Sequence, residues 1–114
     1  MDGADLILLY DYYGDLLTDR QRECFDLRYN QDLSLGEIGQ ELGISRQGVF
    51  DNLSRAEALL RNMERKTGCV SRDRRCRAAA SRILELAQPL LQSGDAAAKD
   101  MAQKILQELK GLEE

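Results

Sequence analysis

Apolar side chains recur along this chain at helical spacing. Val49, Leu53, Ala56, Leu60 and Met63 alternate steps of four and three, which draws one narrow stripe along a helix of about five turns, or about 30 Å. Such a helix, expected from Arg46 to about Lys66, is longer than a small core needs, so its second half must pack on something else. Upstream, Leu35, Ile38 and Leu42 keep the i, i+3, i+7 spacing that packs inward and predict barely more than two turns from Ser34 to Leu42. A helix from Asp19 to about Tyr29 sets Cys24, Leu27 and Arg28 along one side and Phe25 and Tyr29 on the next. Residues 5–13, DLILLYDYY, are apolar on nearly every side. They call for cover all round, from the domain's own core or from another partner. Downstream, Cys76, Ala79, Ala80, Ile83, Ala87 and Leu90 form a further stripe, and Ala98, Ala102, Ile105, Leu109 and Leu112 a last one suited to a coiled-coil-like seam.

The residues between these stripes are punctuation. Thr18 with Gln21, and Ser34 with Glu37, are capping boxes, in which a hydroxyl accepts the third backbone N–H and the longer side chain reaches back. Ser45 is a third N-cap, following Gly43, which suits the left-handed residue at a helix end. Gly14, Gly68 and Gly94 read as stops, Ser71 and Asp95 as the caps that follow, and Pro89 as a kink or a stop one turn earlier. A short helix, a tight glycine turn and a long helix make a helix-turn-helix layout. The expected fold is therefore all-α: a helix-turn-helix domain over residues 1–67, then an extension over 68–114 of two amphipathic helices that packs or dimerises. With one proline and no tryptophan, valine- or threonine-rich alternation being absent as well, a sheet has no support.

Composition narrows the chemistry. The 114 residues suit one domain of five or six helices. Histidine, the commonest general base and metal ligand, is absent. The three cysteines, Cys24, Cys69 and Cys76, are odd in number and contain no C-x-x-C pair, so neither zinc nor a disulfide framework is expected. Cys24, among core positions, reads as a small buried hydrophobe. No Gly-rich phosphate loop, H-E-x-x-H or paired nucleophile and base is present, so no catalytic residue and no cofactor is expected. Asp2 and Asp5 stand where a signal peptide carries positive charge, and no apolar run reaches membrane-spanning length, so a cytoplasmic location is expected. Net charge is −4, unevenly shared: 13 acidic and 8 basic residues leave Met1 to Thr67 at −5, and 7 against 8 leave the remainder at +1.

The run LTDRQRECFDLRYNQDLSLGEIGQELGISRQGV resembles the promoter-recognition helix-turn-helix of bacterial sigma factors, their region 4. ISRQGVFDNLSRAE resembles more closely still the YlxM family, small bacterial proteins whose genes commonly neighbour those of signal recognition particle components. The resemblance covers about the first 65 residues and implies a regulatory helix-turn-helix protein. With the long helix in a major groove, Arg46 and Gln47 meet base edges, Arg suiting guanine and Gln adenine. Ser54 and Arg55 then meet phosphates, as do Arg20 and Arg22 from the first turn of the preceding helix. The sigma-factor helix is more basic at the positions of Gly48, Phe50 and Asp51, and Asp51 brings a carboxylate near phosphates. Arg72, Arg74, Arg75 and Arg77, offset by Asp73 alone, are candidates for an anion or partner contact, or a solvated face.

Two functions follow as expectations. One is a homodimeric regulator of double-stranded DNA, its symmetry matching palindromic half-sites. The other is an interaction module that docks a signal recognition particle protein or its RNA, suggested by the implied gene neighbourhood, the acidic first half and the arginine cluster.

Overall fold

The computed structural model describes residues 3–112; the chain-end residues of the two expected segments, among them Asp2, lie outside these. The described residues contain helices and no strand: α1 (Gly3–Tyr13), a 3-10 turn (Gly14–Leu16), α2 (Asp19–Tyr29), α3 (Leu35–Leu42), α4 (Arg46–Thr67), α5 (Cys69–Ala87), a second 3-10 turn (Gln88–Gln92) and α6 (Ala96–Gly111). They fall into two compact units, Met1–Val70 and Ser71–Glu114.

Local chemistry sets the helix ends in the first unit. Thr18 and Ser34 both close full capping boxes: each hydroxyl accepts from the backbone of the residue three on, and Gln21 and Glu37 accept in return from the cap N–H. Ser45 Oγ accepts from Gly48 N at 2.9 Å and opens α4. Gly43 ends α3 at φ 70°, a left-handed conformation that costs glycine nothing. Gly39 answers a different demand. A Cβ there would stand 2.7 Å from the Ile44 carbonyl oxygen, so the turn can fold back onto α3 only because that position has no side chain.

Two clusters make the core. Cys24, Leu27, Ile38 and Val49 bind α2, α3 and the first half of α4. Leu6, Leu9, Tyr13, Leu17, Phe25, Ala56, Leu60 and Val70 bind α1, α2 and the second half of α4. The long helix thus finds its cover in α1 and α2, and the apolar first helix buries Leu6, Leu9 and Tyr13 in its own unit's core while Tyr12 stays exposed. Tyr10 stacks on Phe25 at 4.5 Å between ring centroids and Phe25 meets Tyr29 at the same separation, a geometry that adds to simple burial.

The start of α5 corrects one expectation. Ser71 does not cap it. The helix opens at Cys69, immediately after Gly68 turns left-handed at φ 64°. Its first N–H groups are taken from behind: Thr67 Oγ1 accepts from Cys69 N at 3.2 Å and Glu64 Oε1 from Val70 N at 3.0 Å. Tyr13 joins the same cluster, donating to Glu64 Oε1 at 2.8 Å and hydrogen-bonding Thr67 Oγ1. Glu64 therefore spends one carboxylate oxygen on both α1 and α5.

In the second unit Pro89 ends α5 at Ala87, two residues ahead, and sits in the 3-10 turn, where its missing N–H is harmless. Asp95 caps α6, accepting from Ala97 N at 3.0 Å. The 3-10 turn packs on α6. Ala87 and Ala102 are the buried hydrophobics of this unit among the described residues, while Ile83, Leu84, Leu90, Met101 and Ile105 are exposed. The stripes read from the sequence are present on α5 and α6, but most of their length faces outward.

Candidate nucleic-acid interface

The site is the outward side of α4's first half. Val49, Ala56 and Leu60 are buried, and at about 100° per residue the opposite side carries Gln47, Asp51, Ser54 and Ala58, with Phe50 on its flank. All five are exposed, as are Arg46 and Arg55. Because the apolar stripe fixes the helix's rotation and the Ser45 cap fixes its start, these side chains are held outward by packing that they do not share.

Arg46 occupies the first helical position. Among the described residues its guanidinium makes no hydrogen bond or ion pair, and the first turn of α4 holds no acidic residue. A cation at a helix N-terminus opposes the helix dipole by some tenths of a kcal/mol up to about one, so Arg46 is placed against local stability and toward solvent. Arg55 is likewise without a partner among these residues. Arg61, on the flank, pairs with Glu57 at 3.6 Å.

Gln47 is engaged, donating from Nε2 to Asp51 Oδ1 at 3.0 Å one turn on. A carboxylate only accepts, so this bond settles which end of the amide faces Asp51. One N–H and the carbonyl oxygen of Gln47 remain, the donor and acceptor that adenine N7 and N6 require. The carboxylate that reads from sequence as a repulsion of phosphate therefore also orients its neighbour. The i, i+4 spacing was the available signal for that pairing.

The two arginines of α2 are occupied within the scaffold. Arg20 Nη1 donates to the Leu42 carbonyl oxygen at 3.3 Å, satisfying a terminal group of α3, and lies 3.7 Å from Glu23. Arg22 is bound to Asp19 at 2.6 Å, with Asp15 at 3.8 Å, and these carboxylates hold its guanidinium above its ordinary pKa. Sequence reasoning missed both: the Leu42 carbonyl becomes a neighbour only once α3 has folded against α2, whereas the i, i+3 spacing of Asp19 and Arg22 was an available signal.

Arg72, Arg74, Arg75 and Arg77 are all exposed on α5, in the second unit, and Arg77 reaches Asp73 at 3.4 Å. They form a group separate in sequence and unit from the α4 face. Among the described residues no group of three His, Cys, Asp or Glu side chains could hold a metal ion, and no helix is long and apolar enough to cross a membrane. Cys24 is buried, and Cys69 and Cys76 are exposed thiols.

Residues 2–93 match the family model described as "Putative helix-turn-helix protein, YlxM / p13 like" (UPF0122). The chain is similar to a UPF0122 protein of Thermoanaerobacter sp. (strain X514), 58% identical over 71 residues, which are 62% of this chain and 61% of that one. A UPF0122 protein of Acetivibrio thermocellus is 59% identical over 63 residues, 55% of this chain and 54% of the relative. One of Bacillus cereus (strain AH187) is 52% identical over 58 residues, 51% and 53% of the two chains. The chain thus spans about three fifths or less of the length of the curated relatives it matches.

Proposed function

The chain belongs to the YlxM/p13-like family of helix-turn-helix proteins, and on that premise we propose that it is a regulator that binds double-stranded DNA through the outward face of α4. Arg46 and Gln47 address base edges, and Ser54 and Arg55 address the flanking phosphates. Arg20 and Arg22 reach phosphate by exchanging their present partners for it. The observation that carries this reading is Arg46: exposed, unpaired among the described residues, and standing at a helix start where its charge is locally unfavourable. Its test is duplex binding followed by fluorescence anisotropy across salt concentrations. The expected result is an affinity that falls steeply with salt and drops about fivefold or more in Arg46→Ala, as loss of a bidentate guanine contact worth about 1 to 3 kcal/mol implies. An absence of binding even near about 50 mM salt refutes it.

The protein acts in the cytoplasm, and a second copy covers the second unit. Two buried alanines are a poor core for a helical hairpin, and the exposed Ile83, Leu84, Leu90 and Ile105 offer a seam. A symmetric pair of α4 faces would then meet two half-sites. Light scattering at tens of micromolar that finds monomer alone removes this part.

A second reading has its own support. The first 67 residues carry −5, which disfavours close approach to phosphate, while the exposed arginines of α5 offer an anion contact elsewhere. On this reading the protein docks a signal recognition particle protein or its RNA. Pull-down with the reconstituted particle, with and without its RNA, separates it from the first; retention by neither form sinks it.

A further inference from the structure

Phe50, on the flank of the α4 face, is the large exposed apolar side chain of that helix among the described residues. It is 52% exposed and belongs to neither core cluster. It stands one turn from Arg46, Gln47 and Ser54, so it borders the face that those side chains present. We propose that Phe50 makes an apolar contact with the C5-methyl group of a thymine in the major groove, beside the base that Gln47 addresses; this rests on the DNA-binding reading above.

The chemistry is selective. Thymine alone among the four bases carries a methyl group on its major-groove edge, and phenylalanine is one of the side chains that meet it. The geometry agrees. Gln47 and Phe50 are three residues apart, about 4.5 Å along the helix axis, close to the ~3.4 Å that separates neighbouring bases on one strand. Gln47, held at one N–H by Asp51, keeps the donor and acceptor that adenine needs. Together the two side chains favour a step of A·T pairs, with Arg46 free to take a guanine next to it. Phe50 would thereby replace the charge attraction that a more basic helix uses with a contact that depends on sequence.

The experiment removes the methyl group and nothing else. Duplexes selected from a randomised pool by the wild-type chain are resynthesised with each thymine in turn replaced by deoxyuridine. Loss of one methyl contact is worth roughly fourfold in affinity, expected at one thymine of each half-site. Phe50→Ala, its helical content checked by circular dichroism, should bind the thymine and deoxyuridine duplexes equally, at the weaker level. Wild-type binding indifferent to every replacement overturns the role of Phe50, as does discrimination that survives in Phe50→Ala; in either case salt-dependent binding that still needs Arg46 leaves the DNA reading standing. A pool from which no duplex is retained overturns both.

Discussion

Adding a single methyl group at Gly39 should open the turn between α3 and α4, whereas the same addition at Gly36, one turn earlier, should strengthen the helix. Alanine is about 1 kcal/mol better than glycine within a helix, and at Gly36 nothing lies within 4 Å of the new Cβ. Gly36→Ala is therefore expected to stabilise by about 0.5 to 1 kcal/mol. At Gly39 the same gain meets the Ile44 carbonyl oxygen at 2.7 Å, about half an ångström inside the closest ordinary C···O contact of roughly 3.3 Å. That oxygen belongs to backbone, and moving it disturbs the 3.0 Å bond from Ile44 N to Gly39 O and the Ser45 cap beside it. Overpacking costs about 1 to 3 kcal/mol and a weakened hydrogen bond about 1 more, so Gly39→Ala should be destabilised by about 1 to 3 kcal/mol net. At about 4 to 8 °C per kcal/mol, melting falls by roughly 5 to 20 °C in one variant and rises by a few degrees in the other. All four tyrosines and both phenylalanines lie before residue 71, so near-ultraviolet circular dichroism follows the first unit alone. A Gly39→Ala protein that melts at or above the wild type would refute the reasoning.

Ser45→Ala should cost about 1 kcal/mol, because it removes the acceptor of the Gly48 N–H; a midpoint unchanged in urea contradicts the cap. The alkaline side depends on buried acids. Burial pushes the Cys24 thiol above its ordinary 9.0 and the Tyr13 and Tyr29 phenols above 10.0. Because the unfolded chain ionises first, the contribution of these three groups is full below pH 9, starts to fall as pH passes 9 and falls further beyond 10. Cys24→Ala should move the onset of that fall in urea titrations toward 10, and a profile flat to pH 11 tells against it. On the acid side, hydrogen bonds from the Ser34 backbone and hydroxyl hold the Glu37 carboxyl below its ordinary 4.5. Its contribution is present above that value and lost as pH falls through the lowered one; Glu37→Gln, which can keep the box, should weaken this acid dependence, and an identical acid limb shows that the box carries none of it.

Most of the fold was legible because its signals are local. A hydroxyl three residues before a Glu or Gln, or a glycine at a helix end, acts on backbone within one turn, and Thr18, Ser34, Ser45, Gly43 and Asp95 all perform as their spacing implies. Ser71 misled for the same reason. It has the right chemistry for a cap, but Thr67 and Glu64 reach over Gly68 and satisfy α5 first. The site was legible as a set of exposed positions, since the stripe from Val49 to Met63 fixes the opposite face. Its bonding was not. Arg20 finds a carbonyl 22 residues away, and the partnership of Gln47 with Asp51 turns a charge that seemed adverse into a means of orientation.

Leu53 packs against both core clusters. Its neighbours along the stripe divide, Val49 on one side and Ala56 and Leu60 on the other, so the two clusters share a single continuous rod. An opening of α4 that reaches Leu53 disturbs both clusters at once, and amide hydrogens from Leu53 to Leu60 should exchange through one common opening. The exposed face of α4 is thereby kept stiff by residues on its buried side, and its outer side chains can be exchanged through evolution with little effect on the interior.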